Sequence, residues 1–282
     1  MLVSSGITEL AKLQGFGLAG VKFRSIALGS SATAVAAGNT ALGAELTTGG
    51  AGRNADASVT NTLITTAFAN DTVQLVSSWA FSATNTINEF GVFNADAANT
   101  GTMLLRQVFA APLNVVTADS LTLTISVQAF DQTPTGATRI TNAGIVEANR
   151  LAFTDLTATN AGIRSVALGV DNGTTLALAA TNTTLGSEIT VANNFGLART
   201  QETSGPTVSL FTTTTTSDTT QVTSTWTVGA GAGSFVAVKE AGVFDTTGVS
   251  TGILWIRYVF AADLNLVPTD VFTMTFRLVN VP

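Results

Sequence analysis

Four carboxylate and arginine positions are the strongest candidates for chemistry in this sequence, because each of them occurs twice. The chain contains no cysteine and no histidine, which excludes cysteine–histidine and serine–histidine–aspartate catalysis and metal sites built on those ligands. Charged residues make up only 11% of the chain, so charges that recur need an explanation. The recurring positions are Glu45/Glu188, Arg53/Arg199, Glu89/Glu240 and Arg106/Arg257.

A glutamate close to an arginine can act on a substrate or support the fold. In a cleft, the pair could bind or protonate a substrate, and a glycoside hydrolase would need two carboxylates about 5–9 Å apart. Between neighbouring strands, the same pair would contribute a few tenths to about 1 kcal/mol and would fix the strand register. Because the charges recur in two halves that differ in detail, we expect structural ion pairs, no enzymatic activity, no cofactor and no metal.

The spacing of Glu89 and Arg106 predicts an ion pair across a β-hairpin. A hairpin centred between Ala97 and Ala98 would place the two side chains directly opposite each other, about 5 Å apart at Cβ. The corresponding hairpin of the second half would place two further residues opposite each other, Glu240 and Arg257. The sequence assigns no role to the remaining recurring charges, Glu45, Glu188, Arg53 and Arg199.

The chain repeats itself in order from one end to the other, and repeats of this kind decide domain organisation. The offset is 138 residues between Gly6 and Gly144 and 151 residues between Arg106 and Arg257. Matching segments include GITELAKL and GIVEANRL, RSIALG and RSVALG, LGAE and LGSE, EFGVF and EAGVF, and VFAA in both halves. We therefore expect two tandem domains, 1–138 and 139–282, joined by the proline- and threonine-containing stretch 131–141.

Each half has the sequence pattern of β-structure. Threonine, valine, isoleucine and phenylalanine are abundant, and these residues favour strands. Apolar side chains alternate with polar ones in Leu121–Val127 and again in Phe272–Leu278, which indicates strands with one buried face. We expect an all-β fold of two tandem β-sandwich, jelly-roll-like domains, with Trp79 and Trp226 in their cores. A short helix is expected near the start of each domain, over Ile7–Leu13 and Ala143–Leu151.

The overall charge argues against several partners. The formal net charge is −6, and lysine occurs only as Lys12, Lys22 and Lys239, whereas nucleic-acid-binding proteins usually carry a basic face. No apolar run approaches the roughly 20 residues that span a bilayer, and the N-terminus does not resemble a secretory signal. We therefore expect neither nucleic acid nor membrane as a partner, and a weakly charged surface that packs against other protein subunits.

Taken in order, the motifs also carry a resemblance. They are IALGSSATAVAAGNTALGAEL, NEFGVFNA and TADSLTLTISV in the first half, repeated more loosely as KEAGVFDT and PTDVFTMTF in the second. This pattern resembles a class of bacteriophage virion structural proteins with tail, fibre or capsid-surface roles, and it covers nearly all of both halves. The resemblance implies a non-enzymatic subunit that is located in the virion and acts by assembly.

The partners implied by this resemblance are other virion proteins, either capsid or tail subunits. We expect a homo-oligomer, with a trimer as one option, because three copies of a duplicated chain would present six similar domains. The compact duplicated design favours a capsid-surface or decoration protein over a fibre. The alternative hypothesis is a carbohydrate-binding or adhesive surface module, which would be expected to display exposed aromatic side chains.

Overall fold

The computed structural model describes residues 1–14, 21–67, 71–128, 138–153, 162–170, 178–179, 181–190, 197–201, 207–211, 219–229 and 236–279. Within these ranges the chain forms mainly β-strands with two α-helices, so the all-β fold predicted from the sequence is confirmed. The expected link between the halves falls largely on residues 129–137, outside the described ranges. Neither helix of the described residues is long and apolar enough to cross a membrane.

Within the described residues, the first half contains one α-helix and six strands, besides a 3-10 turn at Asp56–Ser58. They are α1 (Ser4–Gln14), β1 (Ser25–Gly29), β2 (Val59–Ile64), β3 (Thr72–Ala80), β4 (Asn85–Phe93), β5 (Met103–Val115) and β6 (Ser120–Val127). The second half contains α2 (Asn142–Phe153) and the strands β7 (Thr138–Ile140), β8 (Ser165–Val170), β9 (Thr200–Gln201), β10 (Thr207–Phe211), β11 (Thr219–Thr227), β12 (Val236–Phe244), β13 (Leu254–Leu266) and β14 (Val271–Val279).

The strands of the described ranges form four small antiparallel sheets, two in each half. The first half has the orders β1-β4-β5 and β2-β3-β6, and the second half has β7-β13-β12-β8-β9 and β10-β11-β14. The second half has two additional edge strands, β7 and β9. Where β7 pairs with β13, the first half has an isolated bridge of Leu2 with Leu105, and where β9 pairs with β8, it has one of Ile26 with Asn54. The two halves thus share one strand plan, and the stacking of their sheets into jelly-roll-like sandwiches stays a prediction.

In each half, both sheets contribute to one hydrophobic cluster. In the first half, Ile26 of β1 belongs to the same cluster as Leu75 of β3 and Ile125 of β6. Trp79 and Trp226 are 3% and 2% exposed, so the prediction that both lie in the core is confirmed. Each indole N–H donates to a backbone carbonyl in a non-strand segment, that of Gly52 at 2.8 Å or that of Ala198 at 3.0 Å.

Both predicted helices are present, and each packs on the long strand of its own half through a glycine. A Cβ on Gly6 of α1 would lie 2.7 Å from the Met103 carbonyl oxygen, and a Cβ on Gly144 of α2 would lie 2.7 Å from the backbone of Trp255. Real Cβ atoms essentially never approach backbone so closely. The recurrence of glycine at this helix position therefore reflects direct contact between helix and strand backbones.

The helices also join the two halves, and they do so reciprocally. The α1 and α2 helices pack against each other, α1 contacts β11 of the second half, and α2 contacts β3 of the first half. The Thr220 hydroxyl donates to the carbonyl oxygen of Ala11 at 2.7 Å, and the Asn149 amide donates to the carbonyl oxygen of Asp71 at 2.8 Å. Equivalent surfaces therefore meet, as they do across a two-fold axis.

The predicted register of the charged hairpin is wrong by two residues. Glu89 pairs with Val108, and Arg106 pairs with Gly91, so the two charges are diagonal neighbours instead of direct opposites. The turn is one residue longer than predicted, since Phe93 pairs with Met103. The second residue of the shift is a bulge in β5, between this pair and the pair of Val92 with Leu105. The hairpin of Glu240 and Arg257 differs from the prediction in the same way. A shift of two keeps both side chains on one face.

We predict that Gly6→Ala lowers the free energy of unfolding by about 1–3 kcal/mol, as overpacking does in well-packed protein interiors. Helix propensity alone would favour alanine by up to about 1 kcal/mol, so a loss of stability would identify the contact with the β5 backbone as its cause. Gly38→Ala is the control, because a Cβ there meets nothing within 4 Å. Urea denaturation measures both variants, and equal stability of the two would contradict the prediction.

Candidate functional site

The structure brings the predicted residues together as a buried pair in each half, which we call the inner pair. Arg106 Nε lies 2.5 Å from Glu89 Oε2, and the two side chains are 1% and 0% exposed. In the second half, Arg257 Nε lies 2.8 Å from Glu240 Oε2, and both side chains are fully buried. Each inner pair joins the second and third strands of its sheet order, β4 to β5 and β12 to β13.

Glycines on the neighbouring strands leave room for the inner pair. Arg106 faces Gly91 across the hairpin, and Glu89 faces Gly29 of β1. A Cβ on Gly29 would lie 2.6 Å from Glu89 Oε1. The matching residue of the second half, Gly169, would place a Cβ 2.8 Å from Glu240 Oε1. The long side chains therefore lie flat along the sheet, which is how a diagonal pair can close.

A segment without regular secondary structure, residues 30–46, covers the first inner pair. Glu89 Oε1 accepts a hydrogen bond from the Ala44 backbone N–H at 3.0 Å. Arg106 Nη2 donates to the Thr33 carbonyl oxygen at 3.0 Å, and its Nη1 donates to Asn39 Oδ1 at 3.1 Å. The buried charges are thus hydrogen-bonded on the side away from the strands, as buried charges require.

An asparagine completes each inner pair, and this residue was missed in the sequence reasoning. Arg257 Nη1 donates to Asn182 Oδ1 at 2.7 Å, as Arg106 does to Asn39. The same oxygen accepts a backbone N–H three residues earlier, 2.8 Å away in both halves. The signal was present in the sequence as NTALGAE and NTTLGSE, in which the recurring asparagine precedes the matched Leu-Gly-x-Glu motif by three residues.

The remaining recurring charges form a second buried pair in each half, which we call the outer pair. Arg53 Nε and Nη2 donate to the two carboxylate oxygens of Glu45 at 2.9 and 2.8 Å. Arg199 and Glu188 repeat this two-pronged contact at 2.8 and 2.7 Å. Such a planar arginine–carboxylate contact is among the strongest ion-pair geometries. The structure thereby gives a role to the four charges for which the sequence had none.

Each outer pair connects three parts of its half: the segment that carries the pair itself, the end of the strand before the hairpin turn, and the turn. The Arg53 guanidinium lies over the Phe93 ring at 3.8 Å and donates to the carbonyl oxygens of Ala95 and Thr100 in the β4–β5 turn. Glu45 accepts the backbone N–H of Asn99 in the same turn at 3.0 Å. In the second half, Arg199 lies over Phe244 at 3.9 Å, and the Ser250 N–H donates to Glu188. The hairpin turn is therefore fixed by charge-assisted hydrogen bonds.

This arrangement bears on the catalytic hypothesis. A carboxylate hydrolase would require the four recurring glutamates to converge in an open cleft. Each of them instead contacts its own arginine, and their side chains are between 0% and 6% exposed. Within the described residues, no group of three aspartate or glutamate side chains is placed to hold a metal ion. The recurring charges are arranged to hold strands, turn and covering segment together.

The second half contains two further buried carboxyl groups near each other, Asp245 and Glu147. Burial raises the pKa of Asp245, opposed by the hydrogen bond from the Ile253 N–H and by the charges of Arg164 and Arg199. Burial also raises the pKa of Glu147, opposed by Arg150 and reinforced by the negative charge of Asp245. The equivalent of Asp245 in the first half is neutral Asn94, whose Oδ1 accepts the corresponding backbone bond at the same 2.7 Å.

Comparisons of the chain with protein families, with characterised proteins and with solved structures gave no match.

We predict that Arg106→Met destabilises the protein by about 3–5 kcal/mol, because it leaves the Glu89 carboxylate buried without its partner. The double variant Glu89→Gln/Arg106→Met should lose less than the sum of the two single variants, since no buried charge is left unpaired. Arg277→Met, on the exposed side of β14, is the matched control. Urea denaturation of the two single variants, Glu89→Gln and Arg106→Met, and of the double variant measures the coupling energy. Strictly additive losses of stability would show that the two charges do not act as a pair.

We also predict that the second half loses stability as the pH rises above about 4, the ordinary range of carboxyl groups. The pKa values of Asp245 and Glu147 are raised in the folded state, so folding favours their protonated forms. That contribution is complete below the unfolded pKa and is lost as the pH rises through the folded one. Asp245→Asn should flatten this decline, as measured by melting temperature against pH.

Asp96 provides the control of opposite sign for this pH experiment. A hydrogen bond from the Ser25 hydroxyl, followed by one from the Asp56 N–H, lowers the pKa of Asp96. Its contribution is therefore present above the unfolded pKa and is lost as the pH falls. Asp96→Asn should leave the decline of melting temperature with rising pH in place. If Asp245→Asn also leaves it unchanged, the raised pKa of Asp245 is not its cause.

Proposed function

We propose that this protein is a non-enzymatic structural subunit of a bacteriophage particle, placed at the capsid surface as a decoration protein or associated with the tail. The observation that carries the proposal is the use of the recurring charges. Both halves bury an inner and an outer glutamate–arginine pair and use them to hold the fold together. A duplicated scaffold whose recurring charges support its own fold suits a protein that works by association with other subunits.

The exposed surface supports association with protein. Hydroxyl side chains occupy the outward positions of the edge strands β6 and β14, where Thr122, Thr124, Thr273 and Thr275 are exposed. At equivalent turns following β5 and β13, Val116 is 52% exposed and Val267 is 43% exposed. Cores of protein interfaces are depleted in charge, so weakly charged surfaces with apolar tips match that composition.

The cation inventory supports the expectation that nucleic acid is not a partner. Within the described residues, eight of the chain's twelve lysines and arginines form ion pairs with carboxylates. Binding to phosphates depends on lysines and arginines that replace condensed counterions. A chain with net charge −6 whose cations are mostly paired internally has little capacity for such contacts.

The reciprocal helix contact bears on the symmetry of the assembly. A trimer whose six halves form a ring would need neighbouring halves to meet head to tail, through two different surfaces. The halves instead meet through equivalent surfaces, α1 against β11 and α2 against β3. This favours an assembly in which each chain offers two similar ends, one from each half, to equivalent neighbours.

We predict that the purified protein forms oligomers at micromolar concentration, as measured by mass photometry and sedimentation velocity. The double variant Val116→Asp/Val267→Asp should shift the population towards monomer, because it places charge on both apolar tips. Gly38→Asp adds one aspartate at an exposed position away from these turns, where a Cβ meets nothing within 4 Å, and it should leave association unchanged. A wild-type protein that is purely monomeric under these conditions would count against the proposal.

A further inference from the structure

A pocket of about 310 Å³ opens beside the outer pair of the second half. It lies between the segment before Glu188 and the β12–β13 turn. Its polar lining consists of Thr183, Thr184, Ser187, Glu188, Ser250 and Thr251. We propose that this pocket binds a neutral sugar, at the scale of one monosaccharide unit. Its volume lies at the small end of the range of ligand pockets, roughly 300–1,000 Å³.

The hydroxyl groups that line the pocket are available to a ligand. Thr183, Thr184 and Ser250 are exposed, and Ser187 is half-buried. In the described part of the chain, the hydroxyls of these four residues have no protein hydrogen-bond partner. Each hydroxyl can donate one hydrogen bond and accept two. Four such groups around one concave site offer the mixed donors and acceptors that a ring of sugar hydroxyls requires.

The carboxylate of Glu188 adds a fixed acceptor to the pocket. Its two oxygens accept from Arg199 Nε at 2.8 Å and Nη2 at 2.7 Å, and Oε2 also accepts from the Ser250 N–H at 2.9 Å. A carboxylate has about four acceptor positions, so one is left for a ligand hydroxyl. Since the group is held by Arg199, binding does not have to order it. Its negative charge favours a neutral hydroxyl donor over an anion.

The first half has the same framework and only part of the same lining, since Thr40 and Thr100 stand at the positions of Thr183 and Thr251. Alanines, Ala41 and Ala44, stand where the second half has Thr184 and Ser187, and Asn99 stands where the second half has Ser250. The outer pair is equally formed in both halves, so these hydroxyls are not needed to build it. The hydroxyls of Thr184, Ser187 and Ser250 are therefore particular to the second half, and the first half shows that the loops fold without them.

The experiment is a titration of the full chain with glucose, galactose, mannose and N-acetylglucosamine, one at a time, followed by NMR chemical shifts. We expect at least one sugar to bind with a millimolar Kd and to shift resonances around Thr183–Glu188 and Ser250. Small ligands make few contacts, so weak binding is appropriate. Thr184→Ala/Ser187→Ala, which restores the residues of the first half, should weaken that binding about tenfold or more.

A matched control removes two hydroxyls elsewhere. Thr122→Ala/Thr124→Ala on β6 should leave sugar binding unchanged. The proposal is overturned if none of the four sugars gives saturable shifts at the pocket, if inorganic phosphate competes at the same residues, or if the control loses binding as strongly. The oligomeric state of the Thr184→Ala/Ser187→Ala variant should match the wild type, so failure of the sugar site and failure of the assembly role can be told apart.

Discussion

Burying a carboxylate and a guanidinium in the same sheet imposes the strongest constraint in this fold. An unpartnered buried charge costs several kcal/mol, so both members of the inner pair must meet each other and must also fill their remaining hydrogen-bonding positions. Arg106 has five N–H donors and Glu89 can supply only part of their acceptors. The rest come from Thr33, Ala34 and Asn39, and the covering segment is therefore needed by the sheet beneath it.

The same constraint reaches further along the chain. The covering segment also contains Glu45, which binds Arg53 and the β4–β5 turn. That turn sets the register in which Glu89 and Arg106 meet. The position of the strands, of the covering segment and of the turn thus each depends on the other two. This mutual dependence explains how a region from residue 30 to residue 54 with little regular secondary structure can have one defined arrangement.

Much of the fold and of the buried charge pairs could be predicted from the sequence. The features that could not be predicted have physical reasons. Recurrence identified the charges, and two-residue periodicity identified the strands and the buried Trp79 and Trp226. The strand register could not be predicted, because the bulge in β5 between Met103 and Leu105 adds one more apolar residue to an apolar run. The outer pair was not assigned because Glu45 and Arg53 lie in a segment without periodicity. Asn39 was overlooked because a short polar residue in a turn is ordinary in sequence terms.

The reciprocal packing of α1 and α2 has a consequence for the origin of the chain. Two separate copies of one half would make this contact as a symmetric dimer, so joining them by gene fusion would require no new interface. Once both copies are encoded in one chain, each is free to mutate without changing the other. Asn94 in the first half corresponds to the acidic Asp245 in the second, and Ala41 and Ala44 correspond to Thr184 and Ser187. Two identical chains of a homodimer could not differ at these positions.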